Sequence, residues 1–367
     1  MKTNKTKLIF TGGFLGSGKT TLLQYVSGLL AAQGQTVGLI TNDQAEGLVD
    51  TRLLTRSNGI VKEVSGSCFC CNYTGFKDIV QELLYHPGGM DVIIAEPVGS
   101  CTDISATVLQ PLKDQLLPVV EMAPFTVLAD PQKLEQILDG KDAGMHPSAA
   151  YIYRKQLEES DVILISKTDT LTRERLQLLA EKVSLVYPEQ QLLYTSAYSG
   201  DGVQPWLDHV MTSPVAGSRI VAVDYDVYAE GEAVLGWLNA SVLVQGHAVD
   251  WDAFLESYFK RLNAVLGAAA SVGHIKILIE CMGNRFRIGN QTGPADTLQY
   301  RGAAGISNIA QMNINARVES DPGVLEQQVF EALAQTVTDE MFYEVGACRS
   351  LSPGYPQPAY KYDYVVT

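Results

Sequence analysis

Gly13-Phe14-Leu15-Gly16-Ser17-Gly18-Lys19-Thr20 satisfies the pattern G-x-x-x-x-G-K-[ST]. Glycines at this spacing let successive backbone N–H groups turn inward on an anion, and a helix starting there adds the positive end of its dipole. An apolar run, residues 7–11 (KLIFT), precedes the motif, and an apolar stripe at helical spacing follows it: Leu22, Leu23, Val26, Leu29 and Leu30. Strand, glycine loop and helix in that order make a cradle for the phosphates of a nucleoside triphosphate. In that cradle Gly13, Gly16, Ser17 and Gly18 form the backbone nest. Lys19 bridges the β- and γ-phosphates, Thr20 ligates Mg2+, and Thr21 stands beside them at the helix start.

Three further segments address the rest of a nucleotide. Ser166-Lys167-Thr168-Asp169 directly follows the apolar run VILIS and resembles the N-K-x-D box of GTPases. Asp169 would accept two hydrogen bonds, from guanine N1–H and from the exocyclic amine, while the Lys167 stem packs on the ring. Adenine offers no matching donor pair, so guanine is expected. Thr195-Ser196-Ala197 ends the next apolar run, and its backbone resembles the loop that meets the guanine O6. Glu96-Pro97-Val98-Gly99 closes the run DVIIAE. Glu96 can hold the water shell of Mg2+ or the attacking water, and Gly99 can give its N–H to the γ-phosphate. Lys19, Glu96 and Asp43 are the candidate catalytic residues. No glutamine to align the water and no arginine finger are evident, so slow intrinsic turnover is expected.

Cys68-Phe69-Cys70-Cys71 places three of the chain's six cysteines within four residues. Thiolates are soft ligands suited to Zn2+ and other late transition metals, Co2+ and Ni2+ among them. Three of them leave one tetrahedral position open. Asp43, Glu46, Cys101 or water could fill it, and Glu46 is the candidate carried forward. A structural zinc, a redox pair and reduced cysteines packed as small apolar residues are the competing readings. The five histidines are scattered, which excludes a His-tract storage protein.

These segments need a scaffold that presents loops from successive strands. Apolar runs at 36–41, 60–64, 91–96, 125–129, 162–166 and 191–195 alternate with helical patterns around 73–85, 103–117, 131–158 and 172–186. That alternation implies an α/β fold with a mostly parallel sheet covered by helices. Residues 212–218 (TSPVAGS) form a linker. Beyond it the order strand, helix, strand pair, strand, helix points to a smaller α+β, ferredoxin-like domain. The expected domains are 1–212, 219–345 and a Pro/Tyr-rich tail at 346–367, read as irregular.

Charge and composition narrow the function. Net charge is −14, which argues against a nucleic-acid binder. Hydrophobic residues make up 46% and charged residues 19% of the 367, a globular balance. No apolar run approaches the ~18 residues of a membrane span, and residues 8–10 are too short for a signal-peptide core. A cytoplasmic location without membrane partners is the expectation.

Taken together, GGFLGSGKTT (12–21), TNDQAE (41–46), SCFCC (67–71), EPVG (96–99), SKTD (166–169) and TSA (195–197) resemble the CobW-like family of P-loop GTPases, the cobalamin-synthesis and metal-chaperone group. The resemblance covers residues 7–210 and implies GTP binding and hydrolysis with Mg2+. It also implies handling of a transition metal (Zn2+, Co2+ or Ni2+) or of a cobalamin cofactor. A client metalloprotein or corrinoid protein and a nucleotide-dependent homodimer are the partners it suggests. Two other classes compete: a P-loop small-molecule kinase with structural cysteines, and a non-enzymatic metal-binding adaptor.

Overall fold

A computed structural model of the chain describes residues 5–43, 49–54, 59–268 and 270–367. It divides into two compact units, Met1–Gln44 with Asp50–Gly231 and Tyr355–Thr367, and Ala45–Val49 with Glu232–Gly354. The first unit therefore runs past the 212–218 linker to Gly231 and takes back the last thirteen residues of the chain.

The first unit holds an eight-stranded parallel sheet. Its strands are β1 (Thr6–Gly12), β2 (Val37–Asp43), β3 (Ile60–Ser65), β4 (Val92–Glu96), β5 (Val120–Met122), β6 (Thr126–Ala129), β7 (Val162–Ile165) and β8 (Gln191–Tyr194). The order is β3-β2-β4-β1-β6-β7-β8, with β5 also paired to β1. β1, β4, β6 and β7 are buried along their whole length, the reason they read as unbroken apolar runs.

Helices connect the strands: α1 (Lys19–Ala32), α2 (Val49–Leu54), α3 (Tyr73–Leu84), α4 (Gln110–Leu116), α5 (Pro131–Leu138), α6 (Pro147–Glu159), α7 (Arg173–Val186), α8 (Val203–Thr212) and α9 (Tyr225–Ala233). Leu22, Leu23, Val26 and Leu30 of α1 are each at most 1% exposed and pack in one cluster with Ile9, Leu39 and Ile94 of the sheet. Burying each such side chain contributes about 1.5–3 kcal/mol. The pattern at 131–158 resolves into two helices rather than one. Gly140 and Gly144 adopt positive φ between them, and Pro147 starts the second. The helical pattern at 103–117 begins with a π-helical turn, Ser105–Leu109, before α4.

The second unit is an antiparallel sheet with two helices. β9 (Leu235–Asp250), α10 (Trp251–Leu266), β10 (Val272–Glu280), β13 (Ile306–Glu319), α11 (Pro322–Thr336) and β14 (Phe342–Leu351) give the β-α-β-β-α-β order of a ferredoxin-like fold. Two short strands, β11 (Phe286–Gln291) and β12 (Gln299–Ala303), extend one edge, for the order β12-β11-β10-β13-β9-β14. Residues 346–351, expected in the tail, are strand. Among the described residues no helix is long and apolar enough to cross a membrane.

Candidate nucleotide and metal site

Because the strands of the first unit are parallel, their carboxyl ends share one edge of the sheet, where open α/β folds bind ligands. The glycine loop follows β1, Asn42 and Asp43 end β2, the cysteines follow β3, and Glu96 ends β4. Asp130 follows β6, Lys167 and Asp169 follow β7, and Ser196 and Ala197 follow β8.

In the loop after β1, Gly13, Gly16 and Gly18 have φ of 130°, 80° and 98°. A Cβ on Gly13 would stand 2.4 Å from the Leu128 carbonyl oxygen, so both backbone sign and space require glycine. Lys19 curls back to donate to Gly13 O at 2.7 Å, and its Nζ lies 4.0 Å from Glu96. Thr20 Oγ1 donates to Glu96 Oε1 at 3.2 Å. Thr21 is the third residue of α1. The Ser17 hydroxyl is buried without a protein partner, a donor left over in the middle of the nest. A Cβ on Gly99 would approach Lys19 Nζ to 3.0 Å, so the loop after β4 crosses directly over the lysine.

The β7 and β8 loops meet. Lys167 has a left-handed φ of 51°, Thr168 N donates to Thr195 O at 3.2 Å, and Ser196 Oγ donates to Asp169 Oδ1 at 2.5 Å. The Ser196 N–H is used on Asp201 O at 2.8 Å. The Ser196 hydroxyl, rather than its N–H, is therefore the group in contact with Asp169. Two residues absent from the sequence reading complete this corner. Asp130 pairs with Lys167 at 2.8 Å and caps α5. Burial raises the Asp130 carboxyl, but the Lys167 ammonium outweighs it and holds it below the ordinary value. Lys133 donates to Leu15 O at 3.2 Å, and burial, with Lys167 and Lys19 nearby, pulls it down to about 8. The signal for Asp130 was present as an Asp-Pro helix start.

The thiols of Cys68, Cys70 and Cys71 lie within 4.8 Å of one another, with Cys68 Sγ 2.9 Å from Cys70 Sγ and Cys70 Sγ 3.8 Å from Cys71 Sγ. Tetrahedral zinc with Zn–S near 2.3 Å sets sulfurs ~3.8 Å apart, so the group fits after a shift of about 1 Å at one pair. Hydrogen bonds from the Cys101, Cys70 and Cys71 thiols hold Cys68 well below its ordinary value, while Cys70 is pushed up. Cys71 is raised to about 11, chiefly through Cys68. Within the cluster the negative charge is therefore favoured on Cys68, and a metal ion would displace the protons of the neighbouring thiols.

Asn42 holds this turn. Its Nδ2 donates to Val64 O at 2.9 Å and Ser67 O at 2.7 Å, and its Oδ1 accepts from Phe69 N at 2.9 Å. Asn42 belongs to the TNDQAE segment, and nothing local in the sequence gives it this task. Glu46 lies outside the described residues, and so does the side chain of Asp43.

Fold and cradle define a P-loop nucleotide-binding protein with a thiol cluster on the same edge of the sheet as the phosphate loop. The nucleotide-binding domain described as CobW/HypB/UreG matches residues 7–193, and the chain belongs to that family. It is 28% identical over 194 residues to the zinc chaperone YeiR of Escherichia coli, covering 52% of this chain and 55% of that protein. It is 26% identical to the zinc chaperone CobW of Pseudomonas aeruginosa over 204 residues, 49% of this chain and 53% of that one. It is 30% identical over 224 residues to zinc-regulated GTPase metalloprotein activator 1 of Dictyostelium discoideum, covering 49% and 44%. The chain spans about half the length of the curated relatives it matches.

Proposed function

We propose that this chain is a GTP-hydrolysing metallochaperone whose cargo is zinc, with nucleotide state setting how tightly the thiols hold the ion and when a client protein receives it. The observation that carries this reading is the shared edge: the phosphate loop after β1, the β4 loop over Lys19 and the cysteine turn after β3 all lie at the carboxyl end of one parallel sheet, and Cys101 of the β4 loop is hydrogen-bonded to Cys68. The zinc-named relatives favour zinc over cobalt or nickel and favour zinc delivery over handling of a corrinoid.

Gly13, Gly16, Ser17, Gly18 and Lys19 would take the phosphates, with the spare Ser17 hydroxyl as one more donor. Thr20 and Glu96, whose oxygens lie 3.2 Å apart, are the donors that would hold Mg2+, which when bound neutralises charge on the β- and γ-phosphates. Asp169, aimed by Ser196, selects guanine, and the Ala197 backbone faces the same ring. Gly99 would read the terminal phosphoryl through its N–H. Loss of that phosphoryl frees the β4 loop, and the cysteine turn beside it relaxes.

Zn2+ titrations of the purified chain with GDP and with a non-hydrolysable GTP analogue test the coupling. A coupling of ~1–3 kcal/mol would separate the two zinc affinities by roughly 5–150-fold, and zinc would shift nucleotide affinity by the same factor. Equal affinities in both states, or no phosphate released from GTP, would overturn the reading.

A further inference from the structure

The three clustered thiols leave a tetrahedral ion one ligand short, and a fourth thiol is already hydrogen-bonded to one of them, Cys68. Cys101 is 2% exposed, and its side chain is hydrogen-bonded to that of Cys68. It arrives from a different element: Cys68, Cys70 and Cys71 follow β3, whereas Cys101 follows β4, five residues beyond Glu96.

We infer that Cys101 is the fourth sulfur ligand of the ion held by Cys68, Cys70 and Cys71, supplied by the loop that passes over Lys19. This rests on the reading of the cysteines as a zinc site. Segment 98–101 is built as one rigid piece. Cys101 N donates to Val98 O at 3.0 Å. The buried Gln156 of α6 donates from one amide nitrogen to both Gly99 O at 3.0 Å and Cys101 O at 2.7 Å. One residue, Ser100, separates Gly99, packed on the Lys19 amine, from the cysteine whose sulfur touches Cys68. A displacement of Gly99 by the γ-phosphoryl therefore reaches Cys101 without an intervening flexible joint.

The chemistry gives this placement a purpose. Four protein thiolates make a closed site of the kind that keeps its zinc, and three leave a position for an incoming ligand. Release to a client requires one sulfur to be replaced by a donor of the acceptor site. The sulfur on the nucleotide-facing loop is the one whose position changes with nucleotide state. Transfer begins with exchange of the Zn–S bond to Cys101 for one bond to the acceptor, and the other three Zn–S bonds exchange in turn, with no change of oxidation state. Each freed thiolate takes up a proton from water, and a protonated Cys101 can then resume its hydrogen bond with Cys68.

X-ray absorption at the zinc edge, on full-length wild-type protein loaded with one Zn2+, counts the sulfurs without a mutation. It is run with GDP and with the non-hydrolysable GTP analogue. Four sulfurs at about 2.3 Å in either state support the assignment. Three sulfurs and one oxygen or nitrogen in both states overturn it while leaving the three-cysteine zinc site standing. Failure to bind zinc, or zinc without sulfur neighbours, overturns the zinc reading and this inference together. As a second measurement, Cys101→Ser should weaken zinc binding by at least about tenfold. It should also lower the sulfur-to-Co2+ charge-transfer intensity by about a quarter, one sulfur in four. Cys348→Ser, at an exposed position, should change neither. Nucleotide affinity measured without metal reports whether each variant is folded. Unchanged zinc affinity and band intensity in a folded Cys101→Ser would refute the inference.

Discussion

The backbone amide of Gln357 donates to Cys71 Sγ at 3.3 Å, joining residues 286 positions apart in the chain. The contact is one of a series along the last thirteen residues. Ala359 N donates to Cys70 O at 2.9 Å, Tyr360 packs edge-on against Tyr73 at 4.9 Å, and Tyr362 N donates to Ala106 O at 3.0 Å. Lys361 reaches the buried Asp103 carboxylate at 3.3 Å and lies over the Tyr225 ring. The chain's end is therefore a wall of the thiol site. A chain truncated after Gly354 should react faster at Cys71 with a thiol reagent, by about tenfold, because exposure and loss of an N–H donor both act on that sulfur. Mass spectrometry of the modified peptide reads the rate, and an unchanged rate would show that the tail does not cover the site.

Asn42 makes three hydrogen bonds, two of them buried, that shape the cysteine turn. Asn42→Ala leaves two carbonyls and an N–H without that partner. Each such loss costs about 1–3 kcal/mol, so the variant should be several kcal/mol less stable to urea. It should also hold zinc more weakly, while GTP affinity in the absence of metal stays near wild type. A variant that keeps full zinc affinity would show that the turn does not need Asn42.

The fold of the first unit is legible in sequence because its central strands are buried on both faces, and burial leaves an unbroken apolar run. The cradle is legible because glycine at Gly13 and Gly18 answers a local backbone demand. Asn42, Gln156 and Lys133 are not legible as site residues, since each works through a partner far away in sequence, such as Gln156 with Gly99 and Cys101. Residues 352–367 are irregular, as the composition implies, but their docking is not legible for a related reason. Proline and tyrosine in residues 352–364 form no periodic pattern, yet their backbone and rings are satisfied by contacts with residues 70–114 and 225 that no local rule anticipates.

Ser196 fixes the Asp169 carboxylate before any base arrives. Asp169→Asn replaces a two-oxygen acceptor by an amide with one acceptor and one donor. It should lower GTP affinity by about tenfold or more and shift preference toward xanthosine triphosphate, whose C2 carbonyl accepts where guanine donates. Ser196→Ala should keep the guanine preference but weaken it, since the carboxylate loses its orienting donor. Competition binding with GTP, XTP and ATP separates the two effects. Unchanged ranking in Asp169→Asn would refute the base assignment.

Glu159 is fully buried at the end of α6 and accepts from Thr102 Oγ1 and Ser105 N, both at 2.9 Å, so it anchors the segment just beyond Cys101. Burial pushes its carboxyl up to about 8 from an ordinary value of 4.5, against those two hydrogen bonds. The folded state thus holds a proton that the unfolded state releases near 4.5. Its contribution to stability is complete below that pH, falls through the interval from 4.5 to about 8, and is absent above. The slope in that interval is at most about 1.4 kcal/mol per pH unit. Glu159→Gln keeps an oxygen acceptor and has no proton to lose. Its melting temperature should therefore rise relative to wild type as pH goes from 5 to 8. Calorimetric melts of both proteins across that range check the sign. Curves that stay parallel would mean that Glu159 titrates near its ordinary value and that the segment after Cys101 is anchored by an ionised carboxylate at every pH tested.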